Sequence, residues 1–467
     1  MCWTLPVRTR THSAGRTTRP AALCLAGVAA AGVLVCACTT PSASPASGGS
    51  GGNAREKIST NTPVGLRAKQ IEDMLNSDWP IGPVGIRTLA ASDKVDDIGA
   101  TMENLWWDRP YTVAGIDLRA AQATLHLVTS FGAGEDIDIH TDDRTMVDRF
   151  DAELAKPRIR SWPDVDTELR KSGAQYSYQA AKVDDGNCEP VAGTNTAESL
   201  PLASIFKLYV LYAVADGVKA GAVSWNDELT ITGQAKAVGS SGLEKLPPGA
   251  EVTVRTAADK MIATSDNMAT DLLIDRVGTQ AVERALVQAG HHDPASMTPF
   301  PTMHELFSVG WGTPDLREQW KQAVQSGGPQ GRAQLLEQTN TRPYQPDPAR
   351  THTPASSYGA EWYGSAQDIC RVHAGLQVGA VGAAAPIRQI MSQIPGIDLD
   401  PRQWPYIGAK AGNLPGDLAF SWYAVDRTGQ PWVLSFQLNW PRYHGPNAGA
   451  WLLSIARQAF ALVSPHP

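Results

Sequence analysis

The sequence predicts an α+β protein of two domains, and three observations support this. The chain has 467 residues, which is more than one domain usually needs and enough for two hydrophobic cores. Strand-like alternation and helical spacing both occur on either side of residue 160. Between the two halves, the segment PRIRSWPDVD (157–166) follows neither pattern. We therefore predict a small α+β domain at 63–160 and a larger domain at 163–467.

The smaller domain is predicted from four patterned segments. Apolar residues recur at helical spacing in PVGLRAKQIEDMLN (63–76) and RTMVDRFDAELAK (144–156). They alternate, as in strands, in TVAGIDLRAAQATLHLVTSFG (112–132) and EDIDIHTDD (135–143). These periods of 3.6 and 2 residues predict helices at both ends of the domain and strands between them.

The larger domain begins and ends with strand patterns. After a helix at 163–173, the stretch 174–194 predicts a hairpin with its turn at DDGN, and a helix follows at Glu198–Val218. Further helices are predicted at 254–265, 267–278, 279–290, 366–377 and 451–463, and strands at 404–412, 418–426 and 431–440. This order predicts one antiparallel sheet closed by the first and last segments, with helices beside it. The polar, breaker-rich stretch 325–357 predicts an inserted, lid-like loop.

The N-terminus predicts export. Residues 1–40 hold four arginines and no acid, and an apolar run, AALCLAGVAAAGVLVCAC (21–38), leads to Cys38. This pattern predicts a lipoprotein signal at 1–38 with Cys38 as the lipidated residue, although a plain secretory signal or an uncleaved anchor fits as well. Residues 39–62, rich in Ser, Pro, Gly and Thr, predict a flexible tether. The expected location is the outer face of the cytoplasmic membrane.

The charge balance excludes some classes of partner. The whole chain carries a net charge of −7. Without residues 1–40, the chain keeps 36 basic against 47 acidic residues, or about −11, and no run of lysine or arginine remains. Nucleic acid is therefore not an expected partner, and neither is binding to a membrane surface through a basic patch. We expect a monomer that acts on a small molecule.

The cysteine and histidine residues were examined for possible disulfides and metal sites, and one cysteine pair is a candidate for a disulfide. Export would place Cys188 and Cys370 in an oxidising space, where they form either a disulfide or two separate buried thiols. The sequence leaves both alternatives open. The histidines show no zinc-binding spacing, so His291–Asp293 and Asp138–Asp143 are interpreted as acid-rich turns. No metal and no organic cofactor is predicted.

Ser204 and Lys207 stand three residues apart in the predicted helix Glu198–Val218, which is apolar on nearly every side. Residues i and i+3 of a helix share a face, about 5–6 Å apart. Burial without a partner lowers the pKa of a lysine, and a neutral lysine can take the proton of a serine hydroxyl. On its own, however, the pair favours a serine near the helix start and a lysine that reaches the surface.

Two more motifs follow in order and change this interpretation. Ser265-Asp266-Asn267 lies 61 residues after Ser204, and Lys410-Ala411-Gly412 lies on a predicted strand 145 residues after Ser265. SxxK, SDN and KxG in this order resemble the signature of the class A β-lactamase and penicillin-binding superfamily of serine hydrolases. The resemblance covers roughly 163–467 and implies an antiparallel sheet flanked by helices, as in β-lactamases and transpeptidases.

The two-domain layout is similar to the β-lactamase-fold family associated with clavulanic acid biosynthesis. SSGLEKLPPGAEVTV (240–254) and MIATSDNMATDLLI (261–274) carry this likeness. In that family a smaller domain, similar to steroid isomerases and polyketide cyclases, precedes the serine-enzyme domain. The resemblance implies such a fold for 63–160.

The resemblance also implies roles in acylation. Ser204 would be the acylated nucleophile, and Lys207 its general base, alone or through water. Ser265 would pass a proton to the leaving nitrogen. The backbone N–H groups of Ser204 and Asn413 would form the oxyanion hole.

Substrate-binding roles follow from the same resemblance. Asn267 would hydrogen-bond the substrate amide and the general base. Lys410 would supply positive charge near the substrate carboxylate, on the strand that also carries Ala411 and Gly412. For Asp266 we favour a structural role, fixing the SDN loop through hydrogen bonds to the backbone.

Two departures from the family pattern affect substrate and turnover. Class A enzymes carry KTG or KSG, so Ala411 removes a hydrogen bond to the carboxylate that is worth about 1.5–3 kcal/mol. Their deacylating glutamate lies in ExxLN, whereas this chain has TPFPTMHELFSVGW (298–311), in which Glu305 is the acid. Glu305 either activates water or is a helix-turn acid, and the sequence leaves both alternatives open.

The sequence therefore predicts an exported serine hydrolase that acts through an acyl-enzyme at Ser204. The predicted activity is hydrolysis of β-lactams, as in a class A β-lactamase. The alternatives are a D,D-peptidase or esterase of the cell envelope, and a non-catalytic lipoprotein that uses the fold for binding. The nucleophile–base pair favours an enzyme, because a binding protein has no need of it.

Overall fold

The computed structural model describes residues 58–232 and 242–463. The predicted signal, Cys38 and most of the predicted tether lie outside these ranges, so these predictions stay untested. Within the ranges, none of the helices is both long and apolar enough to cross a membrane.

The smaller domain has three helices followed by a four-stranded sheet. The helices are α1 (Pro63–Leu75), α2 (Pro83–Leu89) and α3 (Val95–Trp106), and the strands are β1 (Thr112–Arg119), β2 (Gln122–Val128), β3 (Gly134–Thr141) and β4 (Val147–Leu154). The strands form an antiparallel meander in the order β1-β2-β3-β4. Helix α1 begins where predicted, because the Thr62 side chain accepts the Gly65 N–H and Pro63 takes the first helical position.

The prediction of a closing helix at 144–156 is wrong. Residues Val147–Leu154 form strand β4, in which Phe150 lies opposite Ile139 of β3. From Phe150 onward, half-buried apolar residues alternate with exposed charged ones, which is the period of a strand. Val147 and Phe150 are three residues apart, and this spacing imitated a helix over the first turn.

The larger domain contains the remaining elements. Its helices are α4 (Trp162–Lys171), α5 (Lys207–Lys219), α6 (Val254–Ala263), α7 (Asn267–Val277), α8 (Thr279–Gln288), α9 (Met303–Trp311), α10 (Arg317–Gln322), α11 (Gly328–Thr339), α12 (Ala366–Val378), α13 (Pro386–Ser392) and α14 (Pro446–Val463). Its strands are β5 (Gln175–Asp184), β6 (Asn187–Thr194), β7 (Leu200–Pro201), β8 (Glu228–Thr230), β9 (Glu251–Thr253), β10 (Tyr363–Gly364), β11 (Tyr406–Leu414), β12 (Asp417–Val425) and β13 (Pro431–Asn439).

One five-stranded antiparallel sheet organises the larger domain. Its order is β11-β12-β13-β5-β6, so strands from both ends of the domain meet at the β13–β5 pair, as predicted. Helices α4 and α14 pack on one face with an apolar core of their own. Helices α5 to α8 and their neighbours enclose a second core on the other side. Strand β11 lies at the edge of the sheet.

The stretch 325–357 is not a simple loop, because it contains the twelve-residue helix α11. Leu336 is buried against the helical core. The guanidinium of Arg332, also buried, donates to the carbonyl groups of Ser296 and Ala295. The polar composition concealed this helix, since few of its residues need to be apolar to anchor it.

The two domains share a buried interface. The backbone N–H of Gly445 donates to the carboxylate of Asp108 (2.8 Å), and the amide of Asn447 donates to Glu135 (3.1 Å). Phe131, in the loop between β2 and β3, belongs to the apolar core under α14. The smaller domain therefore packs against the beginning of α14.

Cys188 of β6 and Cys370 of α12 form a disulfide, which is one of the two alternatives that the sequence left open. The bond joins positions 182 residues apart, and Cys370 is fully buried. It crosslinks the edge strand β6 to the helix behind the sheet.

Reduction of this disulfide is expected to lower the free energy of unfolding by about 2–4 kcal/mol, because a crosslink restricts the unfolded chain. Chemical denaturation with and without a thiol reductant measures the effect. The double variant Cys188→Ala/Cys370→Ala serves as the control. A reductant effect of equal size in that variant contradicts the assignment.

Candidate active site

Ser204 lies in a tight turn ahead of a buried helix. Residues Ala203–Phe206 form a 3-10 turn, and α5 begins only at Lys207. The predicted helix Glu198–Val218 is therefore too long at its start, where Leu200–Pro201 form β7 instead. Ala203 has φ of +44°, a left-handed conformation that costs energy in a residue with a Cβ. This backbone leaves Ser204 partly exposed while its neighbours are buried.

Lys207 is buried as predicted, with no exposed surface, but its side-chain nitrogen has polar partners. Its Nζ donates to the backbone oxygen of Ser265 (2.7 Å), to Ser265 Oγ (3.2 Å) and to Asn267 Oδ1 (2.6 Å). The surroundings of Nζ are thus less apolar than the helix pattern suggests. These acceptors connect α5 to the SDN motif.

The SDN motif is held at the start of α7. Ser265 has φ of +56°, and the carboxylate of Asp266 accepts the N–H of Ala269 (2.8 Å) as the N-cap of the helix. Asp266 thus has the structural position that we favoured. Asn267 is the first residue of α7, with its side-chain oxygen on Lys207. The cap fixes the turn and so directs both polar side chains of the motif.

Strand β11 brings the KAG motif to the same place. Lys410 is 3% exposed, and its Nζ donates to Ser265 Oγ (2.9 Å) and to the backbone oxygen of Ala411 (2.6 Å). A Cβ on Gly412 would lie 2.5 Å from the Ser204 nitrogen, so only glycine allows this approach. The close contact places the backbone on either side of Gly412, including Asn413, beside Ser204. The side chain of Ala411 points outward and is exposed.

These motifs line one cavity of about 230 Å³. At one end it is lined by Ser204, Ser265, Asn267, Lys410, Ala411, Gly412 and Asn413. Lys207 lies behind this wall and reaches it through Ser265 and Asn267. The structure therefore brings together the predicted nucleophile, the two lysines, the SDN residues and the KAG strand.

Glu305 lies apart from this group. Its carboxylate accepts the N–H of Thr302 (2.8 Å) in a capping box at the start of α9, and it accepts the side-chain amide of Asn340 (2.6 Å). Met303 and Phe307, one helical turn apart, line the cavity, whereas Glu305 points to another side of α9. Of the two alternatives for Glu305, the helix-turn acid and the base that activates water, the geometry favours the helix-turn acid.

Two acids that the sequence analysis missed lie beside the site. Glu361 is 4% exposed and Asp417 is 3% exposed, and each has one buried carboxylate oxygen without a hydrogen-bond partner among the described residues. Glu361 accepts the N–H of Trp362 (3.0 Å) and is also hydrogen-bonded to the backbone of Ala203. Asp417 begins β12, opposite Leu414 of β11. The pair thus connects the Ser204 turn to the end of the KAG strand.

Burial, and after it the charge of Asp417, holds the pKa of Glu361 well above its usual range. Burial raises the pKa of Asp417 to about 8, against the opposing hydrogen bonds from Asn439 and Ser356. Two carboxylates that repel each other in a dry site favour binding of a proton. The sequence signal for this pair is weak: Glu361 is followed by two bulky aromatic residues in AEWYG (360–364).

His291, His292 and Asp368 also converge, with ligand atoms within 4.8 Å of one another. Their polar atoms are already engaged: His291 contacts the Tyr363 carbonyl (2.9 Å) and the Asp293 N–H (3.1 Å). The carboxylate of Asp368 is hydrogen-bonded to His292, Ser365 and the cationic Arg371. Burial lowers the pKa of His291. We interpret the cluster as a structural network that ties the 291–293 turn to α12.

The fold and the three assembled motifs define a β-lactamase-fold domain of the serine hydrolase type. Residues 161–340 match the model of the β-lactamase enzyme family. Over this stretch the larger domain is similar to the superfamily of β-lactamases and penicillin-binding serine hydrolases. Residues 58–147 match a model described as the N-terminal region of the ORF 12 gene product. The chain thus combines a separate N-terminal domain with a β-lactamase-like one.

Solved structures with a similar fold include PBP-A, at 16% identity over 67% of this chain and 100% of that one, with a TM-score of 0.44. A β-lactamase from Sphaerobacter thermophilus DSM 20745 is 20% identical over 66% of this chain and 100% of its own, with a TM-score of 0.45. A class A β-lactamase of the last common ancestor of Gram-negative bacteria is 15% identical over 64% of this chain and 98% of its own, with a TM-score of 0.46. No curated protein matches the chain.

Replacing Glu305 by alanine is expected to lower the free energy of unfolding by about 1 kcal/mol, because the capping box is lost. The rate of acyl-enzyme release should change little, since the carboxylate is directed away from the cavity. Urea denaturation and a release assay measure the two effects. Unchanged stability together with a release rate lowered 100-fold supports the opposite assignment.

Asp417→Asn is expected to change how stability depends on pH. In the folded protein Asp417 keeps its proton up to about pH 8, whereas in the unfolded chain it loses the proton near pH 4. The free energy of unfolding of the wild type therefore falls as pH rises through this window. The variant lacks this contribution. Between pH 5 and pH 8 its free energy of unfolding should therefore fall by at least about 1 kcal/mol less than that of the wild type, a difference that corresponds to one pKa unit.

Denaturation curves at the two pH values provide the measurement for Asp417→Asn. Asp143→Asn, at an exposed turn position, is the matched control. An equal loss of stability in wild type and Asp417→Asn is incompatible with a proton held at the Glu361–Asp417 pair.

Proposed function

We propose that the chain is an exported, lipid-anchored serine hydrolase that forms an acyl-enzyme at Ser204, with hydrolysis of β-lactams as its activity. The observation that carries this proposal is the contact of Lys207 and Lys410 with the same hydroxyl, Ser265 Oγ (3.2 and 2.9 Å), beside Ser204. A partly exposed nucleophile near a buried lysine, with a second hydroxyl between two lysines, is suited to moving protons in acyl transfer.

In the proposed acylation step, Ser204 Oγ attacks the carbonyl carbon of the substrate. Lys207 in its neutral form accepts the serine proton, directly or through water. The N–H groups of Ser204 and Asn413 hold the negative oxygen of the tetrahedral intermediate. Ser265 then gives its proton to the leaving nitrogen and takes up the proton that Lys207 received, through the hydrogen bond between Lys207 Nζ and Ser265 Oγ (3.2 Å). The ammonium of Lys410 beside Ser265 favours that transfer. The C–N bond breaks, and the acyl group remains on Ser204.

Release of the acyl group by water would then complete the cycle. Because the carboxylate of Glu305 is engaged by Thr302 and Asn340, it is not placed to activate that water. This observation favours a second candidate function, a D,D-peptidase or esterase of the cell envelope with slow turnover of β-lactams. Ala411, which offers no hydroxyl to a carboxylate, supports the same alternative. A non-catalytic binding lipoprotein is the third possibility.

The proposed location rests on residues 1–62 of the sequence. Cys38 would carry the lipid, and residues 39–62 would tether a monomeric catalytic chain to the outer face of the membrane. Mass spectrometry of the protein from its host tests this point, because lipidation adds a diacylglyceryl group to Cys38. For the N-terminal domain we propose a steroid-isomerase-like fold, supported by three helices ahead of a four-stranded meander.

A fluorescent penicillin distinguishes among these functions. We expect the purified protein to be labelled covalently, Ser204→Ala to show no labelling, and Ser265→Ala to be labelled at least about 100-fold more slowly because proton transfer is lost. Gel fluorescence and absorbance at the β-lactam band are followed together. Transient labelling with fast ring opening indicates a β-lactamase, and persistent labelling indicates a slow peptidase or esterase. Absence of labelling and of ester hydrolysis in the wild type would sink the catalytic proposal.

A further inference from the structure

The chain segment just before β10 lies against the turn that carries the nucleophile. Strand β10 pairs antiparallel with β7, and beyond this pair the Leu202 N–H donates to the Trp362 carbonyl (2.8 Å). The next step in the same register sets Glu361 opposite Ala203. The backbone of Ala203 is hydrogen-bonded to the Glu361 carboxylate, which therefore contacts the residue directly before Ser204.

Ala203 determines the direction in which Ser204 faces. Its φ of +44° is a left-handed conformation that persists only where surrounding contacts hold it. Strand β11 supplies one such contact, because a Cβ added to Gly412 would lie 3.0 Å from the Ala203 Cβ. The Glu361 carboxylate supplies another. The conformation that exposes Ser204 thus depends on both neighbours.

Asp417 lies on the face of the sheet that packs against the nucleophile turn. Side chains alternate along a strand, so Leu414 shares a face with Gly412, which touches the Ser204 turn. Leu414 packs against the helical core on that side. Asp417 is directly opposite Leu414 and therefore lies on the same face. Its charge acts on Glu361, so the two carboxylates are close together beside the turn.

The hydrogen-bond partners around the two acids are neutral. Asn439 and Ser356 hydrogen-bond to Asp417, and Asn439 also donates to Ser356 (2.9 Å). Burial, followed by the charges of the two acids, raises the pKa of the neighbouring Tyr363 phenol, which therefore stays un-ionised. The two lysines of the site donate to Ser265 instead. A proton on the pair is thus what offsets the repulsion between the carboxylates, and the pair titrates as a unit.

We infer that Glu361 is a positioning residue for acylation, and that it acts by fixing the Ala203 backbone so that the N–H and hydroxyl of Ser204 face the substrate. The proton that it shares with Asp417 is part of this role. This inference rests on the proposed acylation of Ser204 and adds a pH limit to it. When the pair loses its proton as the pH rises, negative charge appears behind the Ser204 N–H, which is to hold the negative oxygen of the intermediate. Acylation should then slow.

The pH dependence of labelling by a fluorescent penicillin tests the inference with the purified protein. In the wild type, the rate constant should fall at least about 10-fold from pH 7 to pH 9, because the proton of Asp417 is lost at a pKa of about 8. The double variant Glu361→Gln/Asp417→Asn keeps the size of the pair but cannot ionise. Its rate constant should match the wild type within about 3-fold at pH 7 and fall at least about 5-fold less by pH 9.

Glu135→Gln is the matched control for the pH profile. Glu135 is also a buried acid, with a pKa that burial raises to about 8, but it lies in the smaller domain, where it accepts from Asn447. This variant should keep the wild-type profile. An equal fall of the rate with pH in the wild type and in Glu361→Gln/Asp417→Asn overturns the inference, and so does a Glu135→Gln profile that matches the double variant.

Single variants at Glu361 separate positioning from a general loss of structure. Glu361→Ala should lower the labelling rate constant at least about 30-fold at pH 7 while noncovalent binding of the penicillin stays within about 3-fold of the wild type. Glu361→Gln should restore most of the rate, because it keeps an acceptor for the Ala203 N–H. Equal labelling rates in Glu361→Ala and the wild type overturn the inference.

Amide hydrogen exchange of the segment 200–206, followed by mass spectrometry, gives a readout without catalysis. Exchange in Glu361→Ala should be at least about 10-fold faster than in the wild type, and Glu361→Gln should keep the wild-type rate. Equal exchange in the three proteins overturns the positioning role, whatever the labelling shows. Faster exchange in Glu361→Ala together with a wild type that is never labelled indicates that Glu361 holds the turn and contradicts only the proposed function.

Discussion

Two buried lysine side chains meet at one hydroxyl, and the rest of the site depends on how that meeting is arranged. Lys207 and Lys410 are at most 3% exposed, and both donate to Ser265 Oγ. A buried polar group without hydrogen-bond partners is costly, so the oxygens of Ser265, Asn267 and Ala411 are as necessary as the lysines. They come from α7, its preceding turn and β11. These segments must therefore stay in register with α5.

This register depends on unusual backbone conformations near Ser204 and on the close approach of two segments of the chain. Ser265 and Ala203 both have positive φ, which directs the Ser265 hydroxyl and carbonyl together and turns Ser204 toward the cavity. Gly412 lets β11 approach the Ser204 turn to a distance that no Cβ would permit. The Glu361–Asp417 pair links the same turn and the same strand from behind. Strain at the nucleophile is thus balanced by contacts on both sides.

Much of this arrangement follows from local patterns in the sequence. The helices α1, α4, α6 to α8, α12 and α14 and the sheet of the larger domain are strongly periodic, and the three motifs mark the site because their chemistry requires fixed residue types. Strand β4 was misjudged because its first turn imitates helical spacing, and α11 because its anchors are few. Glu361 and Asp417 are 56 residues apart, and nothing local shows that folding brings two lone acids together. Glu305 was ambiguous because a capping box uses the same residue as a catalytic base.

The disulfide has a consequence for the integrity of the chain. Cys188, Cys370 and the backbone between them form a closed covalent ring that includes Ser204, Lys207 and Ser265, whereas Lys410 lies on the segment that leaves the ring. A protease that cuts one peptide bond inside the ring opens it without separating the pieces. The nucleophile then remains on the same molecule as the lysine of β11, and the nicked protein can keep its site assembled. A chain without the crosslink would divide into two fragments at the same cut.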